Sequence, residues 1–279
     1  MRDWPWAVPP AWLAQRLGEV GIADCRFDLS DPGAGRRQYE RGHIPGAYHF
    51  DLERDLSAPT GPASGRHPLP DPEQLADALA RAGIERGRSW VVAYDDSHLA
   101  FAARFWWLLR YLGHEQVALL DGGFSAWQAG GYPIERRIPA ARSGRFDAQP
   151  RPELIAHGER VRACQHQAGV ALIDSRDGAR YRGEREPLDP AAGHIPGAIN
   201  LPWQHATDAQ GHLRPASEHR QRWQGHTGAT ETIVYCGSGV TACANLLSLA
   251  MAGVTDARLY PGGWSEWCAR SGVIATGSE

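Results

Sequence analysis

Cys236 is the residue whose setting in the sequence best suits it for chemistry. It follows the apolar run TIVY at residues 232–235, opens the loop CGSGVT at residues 236–241, and precedes an alanine- and leucine-rich stretch. This order predicts a strand, a tight loop and a helix, with the thiol at the helix N-terminus. Unpaired N–H groups and the positive end of the helix dipole stabilise an anion there, so the thiol can ionise near neutral pH. The sequence therefore predicts a nucleophilic cysteine.

An internal repeat organises the elements that must position this loop. The hexapeptide GHIPGA at residues 42–47 recurs at residues 193–198, and the segment LDGGFSAW at residues 120–127 recurs as LYPGGWSEW at residues 259–267. In each copy apolar strands alternate with helices, which indicates a mainly parallel sheet flanked by helices. We therefore expect an α/β protein made of two tandem domains.

Superimposing the two copies separates their predicted roles. The segment AYDDS at residues 93–97 aligns with VYCGS at residues 234–238, so Asp95 stands at the cysteine position of the first copy. The second copy alone has Gly237 and Gly239, which adopt backbone angles closed to other residues and let several N–H groups point inward. We expect the first copy to be catalytically inactive and structural.

Changes in composition along the chain indicate the domain boundaries. We predict an N-terminal domain at residues 1–138, a linker rich in Arg, Ala and Pro at residues 139–152, and a catalytic domain at residues 153–279. Helices are expected near residues 100–112 and 240–252, and a glycine follows each of them as a stop signal.

Overall composition argues against several functional classes. A net charge of -3 provides no basic surface for nucleic acid or anionic lipid, and no apolar run approaches the length of a membrane span. We expect a soluble, cytoplasmic monomer. The five cysteines form no CxxC pair, and their odd number excludes a complete intrachain disulfide framework. His43 and His194 have no second ligand at a metal-like spacing, so we expect no metal site.

The tandem GHIPGA turns, the CGSGVT loop and the Gly-Gly-Trp turn together resemble the two-domain rhodanese-type sulfurtransferases. The resemblance covers nearly the whole chain. It implies an inactive N-terminal domain and a C-terminal cysteine, here Cys236, that takes sulfur from a small donor, becomes a persulfide and passes the sulfur to a thiol or to cyanide. No cofactor is implied. The loop amides of Gly237, Gly239 and Val240 would stabilise the anionic sulfur.

The loop sequence also bears on the donor. CGSGVT is similar to the 3-mercaptopyruvate type, in which Ser238 would hydrogen-bond near the reacting centre and Thr241 would hold the loop or the substrate. That type implies two arginines for the donor carboxylate and ketone, and bidentate guanidinium geometry suits this task. The first corresponds to Arg180, but the second position holds Leu188. Arg185 or Arg182, on the same loop, is the expected substitute.

The same resemblance implies a relay that protonates the pyruvate enolate as it leaves. An acid and a histidine from the N-terminal domain would act with Ser238. The corresponding residues here are Glu53 and His67, although their spacing is longer than in the family pattern because of a Pro- and Gly-rich insert.

Three alternative functions each predict a different sequence feature. A cysteine phosphatase needs an arginine six positions after its nucleophile, and position 242 is Ala. A noncatalytic rhodanese-like binding module would lack the nucleophile in both copies, whereas Cys236 is present. Sulfur transfer from thiosulfate to cyanide remains the main alternative, since Leu188 departs from the 3-mercaptopyruvate pattern.

Overall fold

The computed structural model describes residues 4–278, and the chain forms two compact units. The first unit contains the chain up to Ala58, together with Pro70–Arg151 and Thr207–Leu213. The second unit contains Pro59–Leu69, Pro152–Ala206 and the chain from Arg214 onward. The segments Pro59–Leu69 and Thr207–Leu213 thus each group with the unit opposite to that of their sequence neighbours, which the sequence does not reveal.

The first unit is built on a five-stranded parallel sheet. Its strands are β1 (Ala7–Val8), β2 (Gly21–Asp24), β3 (Tyr48–His49), β4 (Val91–Tyr94) and β5 (Val117–Leu120). Their order in the sheet is β1-β5-β4-β2-β3. The residues of β4 and β5 are apolar and buried throughout, as expected for strands covered on both faces. The helices are α1 (Pro10–Ala14), α2 (Ala34–Arg41), α3 (Pro72–Arg81), α4 (Ala102–Tyr111) and α5 (Gly123–Ala129).

The second unit repeats this plan with a four-stranded parallel sheet. Its strands are β6 (Val170–Asp174), β7 (Ile199–Asn200), β8 (Glu231–Tyr235) and β9 (Arg258–Leu259), in the order β7-β6-β8-β9. A parallel bridge between Ile155 and Leu259 extends the sheet beyond β9. The helices are α6 (Gly158–Ala163), α7 (Gly178–Tyr181), α8 (Ala216–Trp223), α9 (Ala242–Ala252) and α10 (Gly263–Ala269).

These elements confirm the predicted fold class of two α/β repeats with mainly parallel sheets. The predicted helix at residues 240–252 is α9, and it ends at Gly253 in the left-handed conformation, with φ of +101°. The predicted helix at residues 100–112 is α4. No helix within residues 4–278 is both long enough and apolar enough to cross a membrane.

The register of the second sheet determines which loops lie near one another. Asp174, the last residue of β6, pairs with Tyr235, the last residue of β8. The loops that follow these two strands therefore leave the sheet at the same carboxyl edge, where open α/β sheets bind their ligands. One of these loops carries Cys236, and the other leads to Arg180.

Candidate active site

Cys236 is the first residue after β8, and its main chain is fixed by the turn that opens α10. The Cys236 carbonyl accepts a hydrogen bond from the Trp264 N–H at 2.8 Å, and the Gly237 carbonyl accepts one from the Ser265 N–H at 2.9 Å. The Cys236 residue is 2% exposed. The thiol thus lies at the base of a loop that joins a buried strand to the N-terminus of α9.

Glycines allow the main chain of this loop to pack directly against neighbouring main chain. Gly263 has φ of +57°, and a Cβ atom there would lie 2.6 Å from the Cys236 carbonyl oxygen. Gly239 has φ of +73°, and its Cβ would lie 2.5 Å from the Pro261 carbonyl oxygen. Both positions therefore require glycine on grounds of conformation and of space. The Gly-Gly turn of the sequence repeat is the surface against which the cysteine loop folds.

The equivalent loop of the first unit shows what such a loop binds. Asp95 follows β4 as Cys236 follows β8, and its carbonyl accepts a hydrogen bond from Phe124 N–H at 2.9 Å, which matches the bond to Trp264. The buried Asp95 carboxylate accepts four main-chain hydrogen bonds of 2.8–3.0 Å, from the N–H groups of Ser97, Leu99, Phe101 and Ala102. Burial raises the pKa of the Asp95 carboxyl group. The four N–H groups act to lower this pKa, but the effect of burial is larger.

This arrangement defines an anion cradle, by which we mean the converging loop N–H groups after β4 and their counterparts after β8. Under the repeat alignment, the four donors to Asp95 correspond to the N–H groups of Ser238, Val240, Ala242 and Cys243. The Cys243 N–H donates to the Val240 carbonyl at 3.1 Å, so the second loop does not repeat all four contacts. In the first unit the cradle holds a side-chain carboxylate. At the aligned position of the second unit stands the Cys236 sulfur, which becomes an anion when it ionises or carries a terminal persulfide sulfur.

His67 and Ser238 are in direct contact within the second unit. The Nδ1 atom of His67 lies 2.8 Å from the Ser238 hydroxyl oxygen. The two residues are 6% and 5% exposed, so water has little access to this hydrogen bond. His67 belongs to the segment Pro59–Leu69, which groups with the second unit. The histidine selected from the family pattern thus lies beside the loop serine, two residues from the nucleophile.

Two guanidinium groups approach the loop beside Gly237. An ideal Cβ atom on Gly237 would lie 2.8 Å from Nη2 of Arg66 and 3.4 Å from Nη2 of Arg180. Arg66 forms an ion pair with Asp189, and Arg180 lies 3.3 Å from the same carboxylate. The sequence predicted Arg180 but missed Arg66. Arg66 directly precedes His67, yet its ion pair with Asp189 joins positions 123 residues apart, so no local signal reveals it.

A buried chain of ion pairs supports these arginines. Glu186 accepts hydrogen bonds from Arg180 Nε at 3.0 Å and from Arg180 Nη2 at 2.7 Å. The same carboxylate lies 3.2 Å from Arg176, which also pairs with Asp174 at 2.6 Å. Burial is the largest single effect on the pKa of Arg176 and lowers it, but Asp174, with smaller contributions from Tyr235 and Glu186, raises the pKa overall. The guanidinium of Arg180 is therefore held in one orientation by fixed carboxylates.

The remaining predicted residues have the following places. Thr241 is the residue before α9 and Val240 is buried within the loop. The Arg185 side chain is 63% exposed and lies 3.3 Å from Asp177. Glu53 belongs to the first unit and is exposed, and its N–H donates to the Asp51 carboxylate at 2.9 Å. The structure thus brings His67 and Arg180 close to the Cys236 loop, and the catalytic and binding roles of all the predicted residues stay predictions.

The other thiols and the turn histidines have structural surroundings. Cys243 is buried in α9, and its thiol donates to the Gly239 carbonyl at 3.4 Å. His43 and His194, in the two GHIPGA turns, contact through Nδ1 the main-chain carbonyls of Tyr39 and Tyr181, at 2.7 Å and 2.8 Å. Over residues 4–278, no group of three or more His, Cys, Asp or Glu side chains is arranged to hold a metal ion.

Comparison with known proteins decides the family. The sequence matches the rhodanese-like domain twice, at residues 9–130 and at residues 158–270. The chain belongs to the rhodanese-like family. The resemblance inferred from the repeated motifs is thereby confirmed, and each rhodanese-like domain carries one of the two loops described above.

The relatives of this rhodanese-like protein cover nearly its whole length. A Pseudomonas aeruginosa protein named as a probable 3-mercaptopyruvate sulfurtransferase is 47% identical over 262 residues, which are 91% of this chain and 92% of that protein. A Mycobacterium tuberculosis protein named as a candidate thiosulfate sulfurtransferase, SseB, is 39% identical, over 94% of this chain and 92% of its own. The crystal structure of the 3-mercaptopyruvate sulfotransferase SseA from Escherichia coli superimposes with a TM-score of 0.80 at 36% identity, covering 93% and 99% of the two chains.

Proposed function

We propose that this protein is a 3-mercaptopyruvate sulfurtransferase in which Cys236 carries the transferred sulfur as a persulfide. The observation that carries the proposal is the setting of Cys236, on a loop of the same design as the one whose amides hold the Asp95 carboxylate. Similarity to 3-mercaptopyruvate sulfurtransferases over most of the chain supports sulfur transfer as the reaction class. Covalent catalysis by a thiolate divides this transfer into two easier steps.

In the first step the Cys236 thiolate attacks the sulfur atom of 3-mercaptopyruvate. A sulfur–sulfur bond forms, the carbon–sulfur bond breaks, and its electron pair leaves as the enolate of pyruvate. The donor thiol loses one proton and the enolate gains one, so the products are pyruvate and an anionic persulfide. His67 and Ser238 form a hydrogen-bonded pair suited to deliver this proton. We keep Glu53 as the third member of the relay.

In the second step a thiophilic acceptor attacks the outer sulfur of the persulfide. Cyanide yields thiocyanate and a thiol yields a new persulfide, and either reaction returns Cys236 to its thiolate form. Between the two steps the terminal sulfur is an anion, and we assign its stabilisation to the loop N–H groups from Gly237 to Thr241. Arg180 is assigned to the donor carboxylate, because its guanidinium lies beside Gly237.

Thiosulfate is the second candidate donor. Leu188 stands where the 3-mercaptopyruvate pattern expects an arginine, and its residue is 48% exposed. A relative at 39% identity is named for thiosulfate. Two guanidinium groups beside the loop also suit a doubly charged donor. The neutral loop sequence favours 3-mercaptopyruvate, and a direct comparison of the two donors decides between them.

The remaining assignments concern the chain as a whole. We propose catalytic inactivity for the N-terminal domain at residues 1–138, a linker at residues 139–152, and activity in the domain at residues 153–279. We further propose a cytoplasmic monomer that needs no cofactor. Sedimentation at working concentration checks the monomeric state. The activity of protein treated with chelator checks that no metal cofactor is needed.

The deciding experiment measures steady-state sulfur transfer to cyanide with both donors, using Cys236→Ala as the blank. We expect 3-mercaptopyruvate to be preferred by about tenfold or more in kcat/KM, a difference of about 1.4 kcal/mol. Mass spectrometry of protein treated with donor alone should find one added sulfur on the peptide that contains Cys236. Retained activity in Cys236→Ala, or sulfur on another cysteine, would overturn the proposal. A preference for thiosulfate would reassign the donor.

A further inference from the structure

A cavity of about 640 Å³ in the first unit is lined by more basic than acidic side chains. Its lining includes Arg26, Arg41 and Arg136, and we call it the arginine cavity. Among the described residues that line it, Asp96 is the only acid. We propose that the arginine cavity is a noncatalytic binding site for a phosphate group, either free or carried as a monoester by a small organic molecule.

The C-terminal end of α2 brings the three arginines together. Nη2 of Arg26 donates to the Gly42 carbonyl at 2.8 Å, and Nε of Arg136 donates to the Arg41 carbonyl at 3.0 Å. Because these carbonyls belong to consecutive residues, the two guanidinium groups meet at the same helix end, where the helix dipole favours positive charge. Arg41 is itself the last residue of α2 and provides the third cation.

Ion pairs neutralise only one of these three cations. Arg26 is buried and pairs with Asp24 through Nε and Nη2, and its Nη1 makes no hydrogen bond to a residue in the described part of the chain. Over residues 4–278, neither Arg41 nor Arg136 forms an ion pair with a carboxylate. The Asp96 carboxylate accepts a main-chain N–H of α5 at 3.0 Å. Two positive charges and their N–H donors are therefore available to an anion.

The second copy of the repeat has acids at the equivalent place. Each copy has a tyrosine whose carbonyl contacts the histidine of the GHIPGA turn, 4 positions apart in the first copy and 13 in the second. The longer connection contains Glu186 and Asp189, which pair with Arg176 and Arg180. Arg176 corresponds to Arg26, since each donates to the glycine carbonyl that opens its GHIPGA turn. The first copy thus keeps the buried arginine but lacks the connection that supplies these acids.

The loop after β4 explains why the site is noncatalytic. The Asp95 carboxylate already accepts the four N–H groups of the anion cradle, so a second anion has to bind outside it. No thiol stands at that position to attack a bound molecule. The ligand is therefore held by the arginines and keeps its bonds.

The cations and the apolar wall of the arginine cavity define the class of ligand. Two unpaired guanidinium groups favour a dianion over a monoanion, and the oxygens of a phosphate group accept from planar guanidinium groups in pairs. The side chains of Gln38 and Gln128 line the same cavity and add amide donors. Phe124, whose ring centroid is 4.0 Å from Cζ of Arg26, and Ile134, which is 45% exposed, provide apolar surface for the organic part of a monoester.

The experiment uses arginine modification of the full-length protein by phenylglyoxal, with peptide mapping by mass spectrometry. Inorganic phosphate and phenyl phosphate are the probes. Modification of Arg41 and Arg136 should slow about tenfold when the probe is present at about ten times its dissociation constant. Arg137 is exposed and lines a different cavity, so its modification should not change. Modification of Arg41 and Arg136 at unchanged rates with both probes would overturn the proposal.

A variant provides the second arm, with protection of Arg41 as the local measurement. In Arg136→Ala the concentration of phenyl phosphate that half-protects Arg41 should rise about tenfold, because a charge-assisted contact is lost at an exposed site. Arg136→Lys keeps the charge without the planar fork and should recover part of the loss. Arg137→Ala removes the same charge one residue away and is the matched control. An equal rise in Arg137→Ala would show only a general effect of charge and would overturn the assignment.

Comparison of the probes identifies the form of the phosphate group. A lower half-protecting concentration for phenyl phosphate than for inorganic phosphate assigns the site to a monoester, and equal concentrations assign it to free phosphate. Acetate, a monoanion, should protect Arg41 only at much higher concentrations, and equal protection by acetate would overturn the assignment to phosphate. These measurements do not involve Cys236 or sulfur transfer, so the outcome is independent of the proposed function.

Discussion

The hydrogen bond between His67 and Ser238 leads to a prediction that separates the two candidate donors. The two atoms are 2.8 Å apart and both residues are buried, so water cannot readily replace a lost partner. When 3-mercaptopyruvate reacts, the leaving group is an enolate whose carbon must gain a proton. When thiosulfate reacts, the leaving group is sulfite, a stable anion that needs none. Replacing His67 by Ala should therefore slow transfer from 3-mercaptopyruvate far more than transfer from thiosulfate.

The size of the effect follows from the role of the pair. A positioned proton donor contributes about 10²–10⁴-fold, so kcat with 3-mercaptopyruvate should fall by about 10³-fold, which is about 4 kcal/mol. Ser238→Ala removes the other end of the same bond. If the two side chains act as a unit, the double variant should be at most about tenfold slower than the worse single variant. Independent contributions would instead multiply.

The assay is single-turnover pyruvate release by quenched flow, with sulfite release measured in parallel from thiosulfate. Ser248→Ala is a control, because it removes another buried serine–histidine hydrogen bond, 2.6 Å long, to His219 within the same unit, together with the bonds that Ser248 accepts from Trp223 and Arg222. That variant should lose stability but little of its rate per folded molecule. Equal losses with both donors, or losses that multiply in the double variant, would refute the relay.

Three further predictions concern the loops and the response to pH. Gly263→Ala places a Cβ 2.6 Å from the Cys236 carbonyl oxygen, and kcat/KM should fall about 10- to 100-fold through displacement of the loop; unchanged kinetics would show that the turn is not tight. Each carboxylate oxygen of Asp95 accepts from two N–H groups, so Asp95→Asn turns an NH₂ group toward two donors. Urea unfolding should show a loss of about 2 kcal/mol, whereas equal stability would contradict the anion cradle. Burial lowers the pKa of His114 and of His219 to about 4, so the stability that each neutral imidazole contributes is complete above about pH 6.5 and is lost as the pH falls toward 4. Protonation of each of these two histidines should lower the free energy of unfolding by about 2 kcal/mol between pH 7 and pH 5. In a His219→Gln variant the free energy of unfolding should therefore depend less on pH.

Features that depend on local sequence could be predicted well. The strand–loop–helix setting of Cys236 was evident because the apolar run, the glycine-containing loop and the alanine- and leucine-rich stretch follow one another directly in the sequence. The repeat motifs predicted two α/β domains, because duplicated turns at equal places in two strand–helix series specify the same fold twice. Gly253 marked the end of α9, since a left-handed residue at a helix end favours glycine.

Features that depend on pairing between distant segments could not be predicted. The sequence showed that Asp95 replaces the nucleophile, but not that its carboxylate takes up four loop N–H groups. Arg66 was missed because its place beside the loop depends on an ion pair with Asp189, far away in the chain. The substitutes expected for Leu188 were Arg185 and Arg182, its neighbours in sequence, whereas one of the two guanidinium groups beside Gly237 belongs to Arg66, in the N-terminal half of the chain. Proximity in sequence was a poor guide at this position.

The Asp95 carboxylate is part of the chain, so the loop after β4 always holds its anion. That loop can therefore serve as a reference for the loop that carries Cys236. In the first loop the anion is part of the chain, so its amides stay occupied at all times. In the second loop the anion on the outer sulfur exists only between donor attack and acceptor attack. Amide exchange in the second loop should therefore slow when the persulfide forms and recover when cyanide removes it, while exchange in the first loop stays constant. Within a single polypeptide, the first loop therefore serves as an internal reference for amide exchange in the second loop.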